Sequence, residues 1–131
     1  MTITLCSSAK FFDRLPAIKD SLEAHGHTVL LPSMIDYHYL VEDALTKIHH
    51  DLIREHFNKI EKSDAIFVAN FEKNGVLGYI GGNTFLEIGL AFYLRKPIYL
   101  LNELPEKIGY QEELLAMQPV VIGEDWNKIL N

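Results

Sequence analysis

Five short, nearly unbroken runs of apolar residues constrain this chain more than any other feature: Ile3–Cys6, Thr28–Leu31, Ala65–Ala69, Ile98–Leu101 and Val120–Ile122. A strand with one wet face alternates apolar and polar side chains, whereas a strand covered on both faces does not. Unbroken runs of this length therefore predict strands inside a parallel sheet. Helical patterns lie between them. Asp13 to His25 places Leu15, Ile18, Leu22 and Ala24 near one stripe, with Gly26 as the stop. Pro16 is tolerated there, because the first turn of a helix needs no N–H. A long stretch from Tyr39 to Lys62 repeats Val41, Leu45, Ile48, Leu52 and Ile60 at helical spacing, with Phe57 near the same face. Thr84 to Leu94 is apolar nearly all round and predicts a central helix. Pro105 to Met117 and Asp125 to Leu130 predict shorter peripheral ones.

Strands alternating with helices, joined by right-handed crossovers, give an α/β fold with an open, doubly wound sheet. Five strands suggest the flavodoxin-like order 2-1-3-4-5 in a three-layer α/β/α arrangement. No repeat, low-complexity tract or linker interrupts the pattern, so residues 1–131 are expected to form a single domain. Ligands of such sheets bind beyond the carboxyl ends of the strands. That rule selects four loops: Cys6–Phe12, Pro32–Tyr39, Asn70–Asn83 and Asn102–Tyr110.

Composition narrows the function classes. Twelve Lys and Arg against eighteen Asp and Glu leave a net charge of −6. That balance opposes binding to a nucleic-acid polymer, which rests on basic residues neutralising phosphates. No apolar run approaches the ~20 residues of a membrane-spanning helix, so no membrane partner is expected. The first residues show no basic region ahead of an apolar stretch, so no signal peptide is expected. The single cysteine, Cys6, cannot close an internal disulfide, which suits a reducing cytoplasm.

The segment from Gly81 to Ala91 carries the most chemistry. Gly81 and Gly82 let backbone approach a ligand, and the loop with Asn83 leads into a helix N-terminus whose free N–H groups favour anions. Glu87, read in the first turn of that helix, would be held ionised by the helix field, and an ionised carboxylate in a cleft can attack a sugar anomeric carbon. The same residues also read as a capping box, Thr84 with Glu87, in which the carboxylate only bonds the Thr84 backbone. The first loop offers Ser7, Ser8 and Lys10 for a phosphate or ribose hydroxyl, or else an ordinary serine-capped turn with a solvated lysine. Cys6, at a strand end, reads as a small packed residue beside that loop rather than a nucleophile.

The histidines do not form a metal triad. From His49 or His50 to His56 is about two helical turns, roughly 9–10 Å along the axis, too far for ligands that bond one ion at about 2.1 Å. No metal is therefore expected. His56 alone reads either as a proton donor near neutral pH or as a half-exposed helix residue. The loop from Asn70 to Ile80 reads as a flap whose Tyr79 stacks on a base, or as a plain turn at Asn74-Gly75.

Taken together, Ile3–Lys10, the run Gly26-His27-Thr28-Val29-Leu30-Leu31-Pro32, the run Ser63-Asp64-Ala65-Ile66-Phe67-Val68, and Gly81–Ala91 followed by Lys96-Pro97-Ile98 resemble the nucleoside 2-deoxyribosyltransferase-like superfamily. The resemblance covers nearly the whole chain. It implies a flavodoxin-like fold, no cofactor, and one of two activities. These are exchange of the base of a 2-deoxynucleoside and hydrolysis of the N-glycosidic bond of a deoxynucleoside monophosphate. It implies that Glu87 is the nucleophile forming a covalent deoxyribosyl intermediate. The family's acid commonly lies eight residues before the Asp that opens strand three; counting back from Asp64 reaches His56.

The resemblance also gives Ser8 and Lys10 the phosphate loop, and makes Cys6, Ser7, Asn70, Tyr79, Gly81, Gly82 and Asn83 substrate-contacting positions. It places Met117 in a segment that family members insert into a neighbour's site, so a homo-oligomer is expected. Two positions depart from the pattern. Gly81 stands where transferases carry Asp and monophosphate hydrolases carry Ser, and Leu115 replaces a polar residue expected at the 5′ group. Two other readings remain: a non-catalytic nucleotide sensor of the same fold, and a phosphoribohydrolase of the cytokinin-activating type. The latter's Gly-Gly-x-Gly-Thr-x-x-Glu motif is one residue longer than the Gly81–Glu87 segment.

Overall fold

A computed structural model describes residues 1–33, 48 and 51–130. Strand β1 (Thr2–Cys6) runs into a 3-10 turn (Ala9–Arg14), helix α1 (Leu15–Ala24) and β2 (Thr28–Leu30). Helix α2 (Leu52–Lys62) leads to β3 (Ala65–Val68), and α3 (Gly82–Tyr93) leads to β4 (Ile98–Leu100). Helix α4 (Gln111–Ala116), β5 (Val120–Val121) and a last 3-10 turn (Trp126–Lys128) complete the described chain. The sheet has the order β2-β1-β3-β4-β5 with all pairs parallel, which is the flavodoxin-like α/β fold expected. No helix among the described residues is long and apolar enough to cross a membrane.

The unbroken apolar runs are explained by two cores, one on each face of the sheet. Ile3, Leu5, Ala65, Phe67, Tyr99 and Leu101 point to one side, against Leu15, Ile18 and Leu22 of α1, with Trp126 packed at its margin. Cys6, Ile66, Val68, Ile98 and Leu100 point to the other, against Ile60 of α2, Ile88 and Ala91 of α3, and Leu114 of α4. Successive strand residues thus serve opposite layers, and both layers are dry. Each fully buried aliphatic side chain contributes about 1.5–3 kcal/mol of transfer free energy, so the runs themselves drive the three-layer arrangement.

The elements are shorter than the sequence pattern suggests, and three differences bear on the site. The stretch from Tyr39 to Lys62 is not one helix, because Asp51 takes a left-handed conformation (φ 48, ψ 40) and α2 begins after it. Residues 34–47, 49 and 50, including His49 and His50, lie outside the described residues. Pro105 to Met117 is helical only from Gln111, and Asp125 to Leu130 only as the 3-10 turn at Trp126–Lys128.

Helix α3 is not buried all round. Thr84, Glu87, Ile88 and Ala91 face the interior, toward α2, β3 and β4, while Leu86, Phe92 and Tyr93 are exposed.

One lysine fixes α2 to the sheet. The Lys96 ammonium donates to the carbonyls of Ile60 (2.9 Å), Glu61 (2.7 Å) and Ser63 at the end of α2. The Ile60 carbonyl also accepts the Ser63 N–H (3.1 Å), and the carbonyls at this end of the helix carry the negative end of its dipole. The Lys96-Pro97 step ahead of β4 therefore sets where α2 ends, and with it the height of His56 above the sheet.

Candidate active site

In this strand order the chain leaves β1 toward β2 on one side and returns to β3 on the other. The loops after β1 and β3 consequently diverge and leave a crevice at the carboxyl edge of the sheet. A cavity of about 210 Å³ occupies that position. Its wall is formed by Ser7, Ser8 and Phe12 after β1, by Pro32 and Ser33 after β2, by Leu52, Ile53, His56 and Phe57 of α2, by Lys73 and Tyr79 of the loop after β3, and by Gly81, Gly82, Asn83, Thr84, Leu86 and Glu87 at the start of α3.

Glu87 and His56 meet at its base. His56 Nε2 lies 3.2 Å from Glu87 Oε2, and both side chains are about nine-tenths buried. The contact is at ion-pair distance but lacks hydrogen-bond geometry, leaving Glu87 Oε2 without a hydrogen-bond partner, as is His56 Nδ1. Cys6 Sγ lies 3.5 Å from the same Nε2. Cys6 is wholly buried under the cavity; burial, then the neighbouring Glu87 charge, push its thiol pKa well up, so it stays protonated. The fold thus buries Cys6 as a free thiol.

The capping-box reading of Glu87 fails. Helix α3 starts at Gly82 with Gly81 as its cap, and its first bond runs from Phe85 N–H to Gly81 C=O (2.9 Å). Glu87 therefore lies in the second turn rather than the first. Its carboxylate is beyond the free N–H groups, and the Thr84 hydroxyl has no hydrogen-bond partner. A buried carboxylate with an unsatisfied oxygen beside a cavity is unfavourable for stability alone.

The loop after β3 supplies one wall. Asn74 and Gly75 both have positive φ (52 and 82), the requirement of a tight type I′ turn, and Lys73 pairs with Val76 across it. The expected turn at Asn74-Gly75 is present, and the hairpin brings Lys73 and Tyr79 to the cavity wall. Lys73 Nζ sits 4.9 Å from the centre of the Tyr79 ring and 3.4 Å from Ser8 Oγ. The loop is anchored from behind by Asn70. Its amide donates to Asn102 C=O (2.8 Å) and accepts from Asn102 N–H (2.9 Å), while Asn102 Nδ2 returns a bond to Asn70 C=O (3.0 Å). Gly78 in the same loop has φ +68, and a Cβ there would stand 2.1 Å from Glu103 O.

Of the residues singled out from sequence, Ser7, Ser8, His56, Tyr79, Gly81, Gly82, Asn83 and Glu87 line the cavity. Four do not. Lys10 is exposed, because the chain turns into the 3-10 helix that buries Phe11 in the core and carries Lys10 outward. Cys6 lies beneath the cavity, in contact with His56. Asn70 is buried and holds the loop instead of a ligand. Met117 lines a different, shallow cavity with Phe92, Tyr93, Tyr99 and Val120. Lys73 is the cation that sequence reasoning passed over. The signal was the Asn74-Gly75 hairpin turn immediately after it, which folds it back.

The strand order and the crevice at the carboxyl edge place the chain among flavodoxin-like α/β proteins. Two solved structures show the likeness. One is a 2-deoxyribosyltransferase of Bacillus psychrosaccharolyticus, with a TM-score of 0.66 and 22% identity over 98% of this chain and 89% of that one. The other is the CMP N-glycosidase BcmB of Clostridium botulinum, with a TM-score of 0.55 and 21% identity over 98% of this chain and 96% of that one. No protein-family model and no curated protein matches the sequence. The likeness is one of fold.

Proposed function

We propose that this protein cleaves the N-glycosidic bond of a 2-deoxynucleoside or its 5′-monophosphate, with Glu87 as nucleophile. The observation that carries the reading is the buried Glu87 carboxylate, one oxygen unsatisfied, beside His56 at the base of a cavity on the ligand-binding edge of the sheet. The names of the two structural neighbours, a deoxyribosyltransferase and a CMP N-glycosidase, agree with it.

The chemistry follows that of a retaining glycosidase. A Glu87 oxygen attacks C1′ of the sugar as the C1′–N bond breaks, and the bonding pair leaves on the base nitrogen. Protonated His56 delivers a proton to the departing base, which spares it a full negative charge. The covalent glutamyl-deoxyribosyl ester is then opened at C1′ by water or by a second base, and His56 takes the proton that the entering group loses. The low polarity around the pair strengthens each of these interactions.

Lys73 and Ser8 lie together at the cavity wall and suit a 5′-phosphate, while the Tyr79 ring offers a face to a base. This favours the monophosphate as substrate. We further read the working unit as a homo-oligomer acting in the cytoplasm. Exposed Leu115, Phe92, Tyr93 and Val120 give an apolar surface around Met117 that suits a second copy.

The deciding experiment incubates the protein with a panel of deoxynucleosides and monophosphates, with and without a second base, and separates the products by chromatography. Free base alone means hydrolysis, and a new nucleoside means transfer. Binding without any base release would overturn the proposal in favour of a sensor.

A further inference from the structure

Cys6, His56 and Glu87 come from β1, α2 and α3, and one ligand atom of each lies within 4.8 Å of the other two. Two of the three spacings, those from His56 to Cys6 and to Glu87, are near those of a coordination shell. Bonds of about 2.3 Å to sulfur and about 2.1 Å to nitrogen or oxygen, set at tetrahedral angles, give edges of roughly 3.6 Å for S···N and roughly 3.4 Å for N···O. The observed Cys6 Sγ to His56 Nε2 distance is 3.5 Å, and the His56 Nε2 to Glu87 Oε2 distance is 3.2 Å.

We infer that these three side chains form a binding site for a thiophilic divalent cation of the Zn²⁺ type. A thiolate, an imidazole and a carboxylate suit Zn²⁺, whereas a set containing sulfur and nitrogen disfavours Mg²⁺ and Ca²⁺. The charges also match. A Cys6 thiolate and the Glu87 carboxylate cancel a double positive charge, which removes most of the penalty of burying the ion. Glu87 Oε2 is buried without a hydrogen-bond partner, so coordination satisfies an atom that the protein leaves unsatisfied. His56 and Glu87 line the cavity, which gives the ion its entry. On binding, the Cys6 S–H bond breaks, the sulfur lone pair goes to the metal and the proton goes to solvent; no oxidation occurs. Three protein ligands leave a fourth position of the ion toward the cavity.

The consequence for activity rests on the glycosidic reading. A Glu87 carboxylate bound to the ion is no longer a free nucleophile, so Zn²⁺ acts as an inhibitor that competes with substrate. Metal binding itself is read without turnover, so failure of either idea is seen separately.

The test titrates the full chain with Co²⁺ in the absence of nucleoside. Cys6 is the only cysteine in the chain, so any thiolate-to-cobalt charge-transfer absorption in the near ultraviolet must come from it. The expected result is such a band, saturating at one ion per chain with native near-ultraviolet circular dichroism and discharged by one equivalent of Zn²⁺. Glu87→Gln weakens Co²⁺ binding at least tenfold, and Cys6→Ser abolishes the band. Absence of the band in folded wild-type protein overturns the inference, whether or not the variants fold. So does unchanged Co²⁺ affinity in a folded Glu87→Gln protein.

Discussion

His56 Nε2 stands 3.2 Å from Glu87 Oε2 across the contact between α2 and α3, with both residues buried. One residue is read as proton donor and the other as nucleophile, so their removal separates two effects. Glu87→Gln lowers turnover at least about a thousandfold, the scale of losing a nucleophile, and leaves no sugar adduct by intact-mass measurement. His56→Asn costs about 10²–10⁴-fold, the range of a general acid. That penalty shrinks for bases whose anions leave readily, which separates proton donation from a packing role. An equal loss across bases of very different basicity removes His56 as the acid.

Lys73 reads the phosphate if the substrate is a nucleotide. Lys73→Met removes a charge-assisted contact of about 1.5–3 kcal/mol, so KM for a monophosphate rises by roughly 10–100-fold. The KM for the matching nucleoside stays within about twofold, since it makes no such contact. Lys10→Met changes neither, because Lys10 is exposed outside the cavity wall. Steady-state kinetics on both substrates check all three statements.

Gly78 has no substitute. At φ +68 any other residue is strained, and a Cβ would overlap Glu103 O at 2.1 Å. Gly78→Ala is expected to lose about 2–3 kcal/mol through strain and overpacking. At this chain length that is roughly 5–15 °C in Tm. The loss is accompanied by a weaker hold on substrate, because Tyr79 follows directly.

His27 makes folding stability depend on pH. Burial, then the Met1 ammonium beside it, lower its pKa below 6.5 in the folded protein, and Nδ1 accepts a hydrogen bond from that ammonium at 3.2 Å. The unfolded chain then binds the proton more readily, so stability from this residue is complete above about pH 6.5 and falls as the pH drops toward the lowered value. His27→Gln flattens that part of the curve. Urea unfolding at a series of pH values between 4 and 8 measures it.

The fold was readable because a doubly covered sheet leaves a coarse mark. Five runs such as Ala65–Ala69 bury alternate residues in separate cores, and no other common architecture asks for that. Ends were less readable, since a run such as Val120–Ile122 continues past its last ladder pair at Val121. The break at Asp51 left no local sign: an aspartate takes positive φ there without a glycine or proline to announce it. The start of α3 was misplaced because Gly82 and Asn83 look like loop residues, yet the helix begins at Gly82 with Gly81 as its cap. The site was half legible. Glu87, Ser7, Ser8 and Tyr79 follow from the rule that ligands gather at strand ends. Lys73 in place of Lys10, and Cys6 against His56, depend on how distant segments fold together, and no spacing in the chain encodes them.

Tyr79 and Gly81 are two residues apart, and a Cβ at position 81 would come within 3.2 Å of the Tyr79 ring. The ring can lie where it does because nothing projects from the backbone beside it. The two positions therefore behave as one design variable. A chain that put Asp or Ser at 81, to reach a substrate hydroxyl, would press on its aromatic neighbour and shift the ring by a few tenths of an ångström. At this corner the protein holds a flat hydrophobic shelf in place of a polar finger. On the proposed reading, recognition at this corner is by shape, and retuning it means changing both residues together.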